Sequence, residues 1–284
     1  MAPSVIDIHP HIISSNLEKY PPSPLFGKQS DWSKERPVEV PDLLLAMDKA
    51  GVDKAAIVHS STCYGYDNSY VCDAVQDYPG KLTAVGSVDL LAADAKEQIR
   101  AWMKRGLTGL RLFTGGSTKA FDTTALDHPD SFPAWDMAGE EGLSICIQTG
   151  PAALPQVAGL AKRFPKVNII LDHLARPVID DGAPYNKAVS LWAMSAFENI
   201  FLKITPRTTD LAVLGNADPT SLFTKIVDTF GAERLAWGSN FPSSEGEMKD
   251  NLDTARQQLA FLPEDVRHQI FVGTAQHLYP SLAG

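Results

Sequence analysis

Eight short apolar runs, each followed by a helix-forming stretch, set the strongest limit on how this chain can fold. The runs lie at 4–8, 54–58, 82–88, 109–113, 143–147, 167–171, 200–204 and 234–237. They are rich in Val, Ile, Leu and Ala, as strands buried on both faces are. Helical stretches are expected at 41–50, 69–77, 94–105, 131–141 and 154–164, within 183–197, and at 220–230 and 247–261, with a final helical pair over 263–279. Glycine punctuates several of their ends, as at Gly51, Gly106, Gly142 and Gly231. Alternating strands and helices predict a parallel sheet. Eight such units in 284 residues predict an α/β fold, a single-domain (β/α)8 TIM barrel over residues 1–284. A doubly wound open sheet is the alternative. Its Gly-rich dinucleotide fingerprint is missing, however, and His9-Pro10-His11 stands where that fingerprint would follow the first strand. The segment 12–40, rich in proline, is too long for a tight connection and is expected to form a lid-like loop after strand one.

In a barrel, the active site gathers at the C-terminal ends of the strands. The residues ending these runs are His9 and His11, His59, Asp89, Arg111, Gln148, His173, Lys203 with Arg207, and Asn240. Four of the seven histidines fall there. His9 and His11 stand two apart on an extended chain, so both imidazoles leave the strand on one face. With His173 they can share one divalent ion, zinc or manganese, which would lower the pKa of a bound water. Alternatively they hydrogen-bond a substrate in a metal-free pocket. The residues alone leave both readings open.

Arg111, Arg207 and Arg176 are candidates to hold a small anionic substrate, because the guanidinium fork matches a carboxylate. Arg111 lies within a short apolar strand, where an unpaired charge is costly, and Lys203 is placed similarly. For each, an ion pair between barrel units is the competing role. Gln148 joins the substrate-binding candidates, as do Tyr64 and Tyr66 in the loop after strand two, where Asp67 serves equally well as a helix cap. Thr114-Gly115-Gly116-Ser117 offers backbone N–H groups to an anion. Trp102, Trp135 and Trp192 read as packing residues, and His128, His268 and His277 as structural.

Charged residues make up 21% of the chain and its net charge is -9, with no basic stripe for nucleic acid. No apolar run is long enough to span a bilayer and no signal-peptide pattern opens the chain, so no membrane association and a cytoplasmic location are expected. Cys63, Cys72 and Cys146 lack metal-ligand spacing and read as reduced thiols. No organic cofactor is expected. Oligomeric state stays open, although barrels of this kind often form homo-oligomers.

With these residues in place, nearly the whole chain resembles the amidohydrolase superfamily. More closely it resembles the branch of 2-pyrone-4,6-dicarboxylate lactonase, sulfomuconolactonases and sugar lactonases. The resemblance rests on Asp7-Ile8-His9-Pro10-His11, on 64–70 after strand two, and on Gly109-Leu110-Arg111-Leu112. It rests also on Asp172-His173-Leu174-Ala175-Arg176-Pro177 and Trp237-Gly238-Ser239-Asn240-Phe241-Pro242. It implies a hydrolase that opens a small carboxylated lactone at its C–O ester bond, as in aromatic catabolism. His9, His11 and His173 would polarise the carbonyl, directly or through one metal, and Arg111 and Arg207 would hold the carboxylate. Members of the superfamily that decarboxylate aromatic or muconate-type acids without oxidation supply the alternative activity.

Two positions depart from the family pattern. Asn240 stands where the strand-eight aspartate usually takes the proton from water, and an amide offers no basic site at neutral pH. Either His173, His59 or Glu245 serves as base, or no base is needed there, or the chain is a catalytically impaired substrate-binding variant. If Asn240 is native, it would position water or substrate. Gln148 stands where many members present a histidine or a charged group, which argues against a two-metal site.

Overall fold

The computed structural model describes residues 5–116 and 118–284. Ser4 of the first run and Ser117 of the Gly-Gly loop lie outside the described residues. The eight strands are β1 (Ile6–Asp7), β2 (Lys54–Val58), β3 (Leu82–Gly86), β4 (Leu107–Phe113), β5 (Ser144–Gln148), β6 (Ile169–Leu171), β7 (Ile200–Ile204) and β8 (Leu235–Trp237). They pair in sequence order and all in parallel, as the strand–helix alternation requires.

The ring is completed where β8 meets β1. The Ile8 N–H donates to Trp237 O at 3.2 Å. The buried Asp7 carboxylate accepts the N–H groups of Ser239 at 2.8 Å and His9 at 2.9 Å, tying the last strand to the first. Burial pushes the Asp7 carboxyl up to about 6, partly offset by these donors.

Helices wrap the barrel with their apolar faces inward. Helix Val40–Ala50 buries Leu43, Ala46, Met47 and Ala50, the spacing of one helical face, and Gly51 ends it in the left-handed region at φ 72°. In helix Phe132–Glu140, Trp135 is fully buried and stacks on Phe164 at 5.7 Å.

Three stretches differ from their sequence expectations. The expected helix within 183–197 is broken into Val189–Trp192 flanked by 3-10 turns, with Tyr185 at φ 62° and the Trp192 indole N–H bonded to Tyr185 O. Helix Pro206–Leu211 follows β7, where only a strand end was expected, because Pro206 at the first helical turn favours one. The polar loop after β2 contains a helical turn, Ser61–Tyr64.

The segment after β1 forms the expected lid over the barrel mouth. It contains short turns at Leu25–Gly27 and Asp31–Glu35. Arg36 fastens it by donating to Pro242 O and Ser243 O, each at 3.2 Å, in the loop after β8. Among the described residues, no helix is long and apolar enough to cross a membrane.

Candidate active site

The floor of the site is a buried charge cluster. Asp172 follows β6, and its carboxylate lies 2.8 Å from Lys203 Nζ on β7 and 3.5 Å from Arg111 Nε on β4. Burial alone would raise the Asp172 carboxyl, but Lys203 and Arg111 hold it below the usual carboxylate range. Asp172 was not among the sequence-derived site residues. The available signal was a charged residue abutting a wholly apolar three-residue strand, beside His173.

Three imidazoles stand above this floor. The centroid of the His9 ring lies 4.9 Å from that of His11 and 5.1 Å from that of His173. His11 Nδ1 lies 2.7 Å from Val58 O, a carbonyl that can only accept, so Nδ1 carries the proton and Nε2 keeps its lone pair. His173 Nδ1 bonds the Thr205 hydroxyl at 2.8 Å. His9 Nδ1 is 3.5 Å from Asp172 Oδ1, and neither ring nitrogen of His9 has a hydrogen-bond partner among the described residues. Burial lowers all three pKa values, that of His11 to about 3, so the rings are neutral at physiological pH.

The mouth is a small cavity lined by His11, His173, Arg111, Arg176, Arg207 and Asn240, with Trp32 of the lid and Gln148 on its walls. No carboxylate is among its lining residues. An unusual turn shapes it. His173, Leu174, Ala175 and Arg176 all have φ of 54–55°, the left-handed region, which costs non-glycine residues about 1–2 kcal/mol each. The turn brings His173 and Arg176 to the same cavity. Arg176 Nε is buried without a partner among the described residues. Burial lowers the Arg176 pKa, and Arg207 and Arg111 repel its charge further. Gln148 supports this wall by accepting from Arg111 and donating to Gly115 O. Asn240, at φ 52°, donates its amide to Ser244 Oγ at 2.8 Å.

Other candidates sit elsewhere. Lys203 is wholly buried against Asp172 and is not among the residues that line the mouth. His59 is buried, its Nε2–H donates to Gly65 O, and burial lowers its pKa to about 4, so it braces a loop. The Tyr64 hydroxyl accepts the Ser14 N–H and anchors the lid. Tyr66 and Asp89 line a neighbouring cavity. Glu245, an alternative base, is exposed.

A zinc or manganese ion on His9, His11 and His173, one of the two readings that the residues leave open, does not fit what surrounds them. Lys203, Arg111, Arg176 and Arg207 crowd the three rings with positive charge. Asp172 is already shared among Lys203, Arg111 and His9, and Asn240 brings an amide where an acid would face the ion. Among the described residues, no group of three or more His, Cys, Asp or Glu side chains is arranged to hold a metal ion.

L-Fucono-1,5-lactonase of Burkholderia ambifaria is 27% identical to this chain over 284 residues, covering 96% of this chain and 94% of its own. A probable 2-pyrone-4,6-dicarboxylic acid hydrolase of Acinetobacter baumannii, solved with citric acid bound, shares the fold with a TM-score of 0.75 at 16% identity, over 97% of this chain and 99% of its own. An amidohydrolase of Burkholderia multivorans, solved with bound zinc, does so with a TM-score of 0.76 at 19% identity, over 97% and 99%. The amidohydrolase family model itself matches residues 6–281, which includes every strand of the barrel and every residue lining its mouth. The match thus spans the whole barrel, and the chain belongs to the amidohydrolase family.

Proposed function

We propose that this chain opens a small carboxylated lactone by adding water across its C–O ester bond. The observation that carries the reading is the charge of the mouth: Arg111, Arg176 and Arg207 share a cavity with His173 and Asn240, and no acidic residue lines it. Such a cavity attracts an anion, and guanidinium groups hold a carboxylate bidentately. The names of a lactonase relative and of a pyrone-dicarboxylate hydrolase support the lactone class, and the citric acid in that hydrolase supports an anionic ligand.

His173 is the base best placed for the chemistry. With its Nδ1–H donating to Thr205 Oγ1, its Nε2 keeps the lone pair that takes a proton from water as the water oxygen attacks the lactone carbonyl. The acyl–oxygen bond then breaks, and the imidazolium returns that proton to the ring oxygen, so one water is added and no co-reactant is consumed. Arginine and Asn240 N–H groups stabilise the developing oxyanion. Burial is the main cause of the lowered His173 pKa, and a bound carboxylate counters the smaller part that comes from Arg207, Arg176 and Arg111.

The test is a lactone panel followed by proton release and by mass spectrometry of the product. Carboxylated lactones should be opened with a gain of one water, about 100-fold more efficiently than uncharged analogues of the same ring, as expected for losing a charged anchor of about 3 kcal/mol. Evolution of CO₂, or a preference for uncharged sugar lactones, overturns the reading.

A further inference from the structure

Beside the arginine mouth lies a second, larger cavity. Arg111 and Phe113 of β4 line both. The rest of its wall comes from four other segments: Leu25 and Phe26 of the lid, Tyr66 after β2, 87–91 after β3, and Asp122 with 124–126 after β4. More than half of the lining residues are apolar, including Leu90, Leu91 and Leu126, and Asp89, Asp122, Ser87 and Thr124 are among the polar ones.

Two features mark this cavity as a place for an apolar group. Three of the chain's exposed large hydrophobic side chains, Phe26, Tyr66 and Leu91, come from different loops and meet on it. Isolated apolar residues on a surface need no explanation, whereas several converging on one concavity mark a binding site. Phe26 also holds φ 65°, a conformation unfavourable for a bulky L-residue, while its ring stands 6.3 Å from that of Phe113. The Arg111 guanidinium lies over the Phe113 ring at 5.5 Å, and this pair forms the wall that the two cavities share.

We infer that this second cavity is a specificity subsite for an apolar substituent, a short alkyl chain or an aryl ring, on the molecule whose carboxylate sits at the arginines. The inference rests on the carboxylate reading above for its head group and goes beyond it in naming the substrate class: an amphipathic lactone acid rather than a compact polyacid or a sugar lactone. The ligand spans from Arg176 and Arg207 across Phe113 to Leu90 and Leu126. Ala125 is exposed on the rim, where a larger side chain fills the cavity without entering the barrel core.

Calorimetric titration of the full chain with butanoate, 4-phenylbutanoate and 4-phenylbutan-1-ol tests this. The phenyl group should tighten carboxylate binding by about tenfold, the yield of a partly buried ring. Ala125→Trp should erase that gain and leave butanoate affinity within about twofold. Equal affinity for the two acids, or a phenyl gain that survives Ala125→Trp, overturns the subsite and leaves the carboxylate reading standing. Binding of the alcohol that Ala125→Trp abolishes, with no binding of either acid, upholds the subsite and overturns the carboxylate reading. No binding of any probe overturns both.

Discussion

Lys203 Nζ stands 2.8 Å from Asp172 Oδ1, and neither side chain is exposed to solvent. Asp172 also faces Arg111 and His9, so one carboxylate balances the cations beneath the mouth. Removing Asp172 leaves the buried Lys203 without a counter-charge, which costs about 3–5 kcal/mol, whereas removing Lys203 leaves Asp172 facing Arg111 and costs less. Asp172→Asn should therefore lower the melting temperature by roughly 5–8 °C at this chain length, and Lys203→Met by less. The double variant should recover part of the loss. Equal melting temperatures for the single variants and the parent protein would show that the pair contributes nothing to stability.

Acid should destabilise the fold well above the usual carboxylate range. His9, His11, His59 and His173 all have lowered pKa values, chiefly from burial. Below about 6.5 the unfolded chain takes up protons that the native histidines refuse, so stability falls as pH drops toward the native values, about 4 for His59 and about 3 for His11. Asp7 acts in the opposite sense between its unfolded value and about 6, because there the native state binds the extra proton. Four groups outweigh one, so urea midpoints should drop steadily from pH 7 to pH 4.5. His59→Gln keeps a donor for Gly65 O and should reduce the slope by up to one proton, about 1.4 kcal/mol per pH unit. A flat profile over that range would rule the buried neutral histidines out.

Much of the barrel is legible in the chain because its signals are local. β2 and β7 coincide with their apolar runs, and helix Val40–Ala50 shows both its periodic face and its Gly51 stop. The strand-end rule places His9, His11, Arg111, His173 and Asn240 together, since barrel geometry converts sequence position into convergence. The role of His59 is less legible: its place at a strand end is right, but its hydrogen bond to Gly65 O depends on a loop six residues on. Asp172 is hidden for a similar reason, because its partners lie on β4 and β7. The left-handed turn over His173–Arg176 carries no glycine to announce it and is held by its surroundings.

Anion binding should follow the arginines separately. Arg176→Ala and Arg207→Ala each remove one guanidinium from the mouth and should weaken citrate binding about 10- to 100-fold, the loss of one charge-assisted contact. Arg111→Met should weaken binding and also destabilise the fold, because Arg111 bonds Gln148 and pairs with Asp172 as well. Titration calorimetry beside thermal melts separates the two effects. Unchanged citrate affinity in both alanine variants would remove the anion site.

The metal prediction follows from charge. Three neutral imidazoles surrounded by Lys203, Arg111, Arg176 and Arg207, with one shared carboxylate, give a divalent cation little attraction. Protein purified without chelator should carry substoichiometric zinc and manganese by plasma mass spectrometry, and chelation should leave kcat/KM unchanged. Near one metal per chain, lost on His9→Ala, would instead make the imidazoles ligands.

Asn240 decides between the remaining routes to a base. Its amide donates to Ser244 Oγ, and asparagine tolerates the left-handed φ of 52° better than most residues. Asn240→Asp fits the same backbone and Ser244 can turn its hydroxyl to the new carboxylate, so the fold should hold. The added negative charge would compete with the substrate carboxylate for Arg176 and Arg207, raising KM about tenfold or more. It would also raise the His173 pKa, moving the acid limb of the kcat profile to higher pH. Both changes are expected if His173 is the base and Asn240 orients the water. A rise in kcat of about 100-fold or more would mean that a carboxylate belongs at this position and that His173 does not carry the proton transfer.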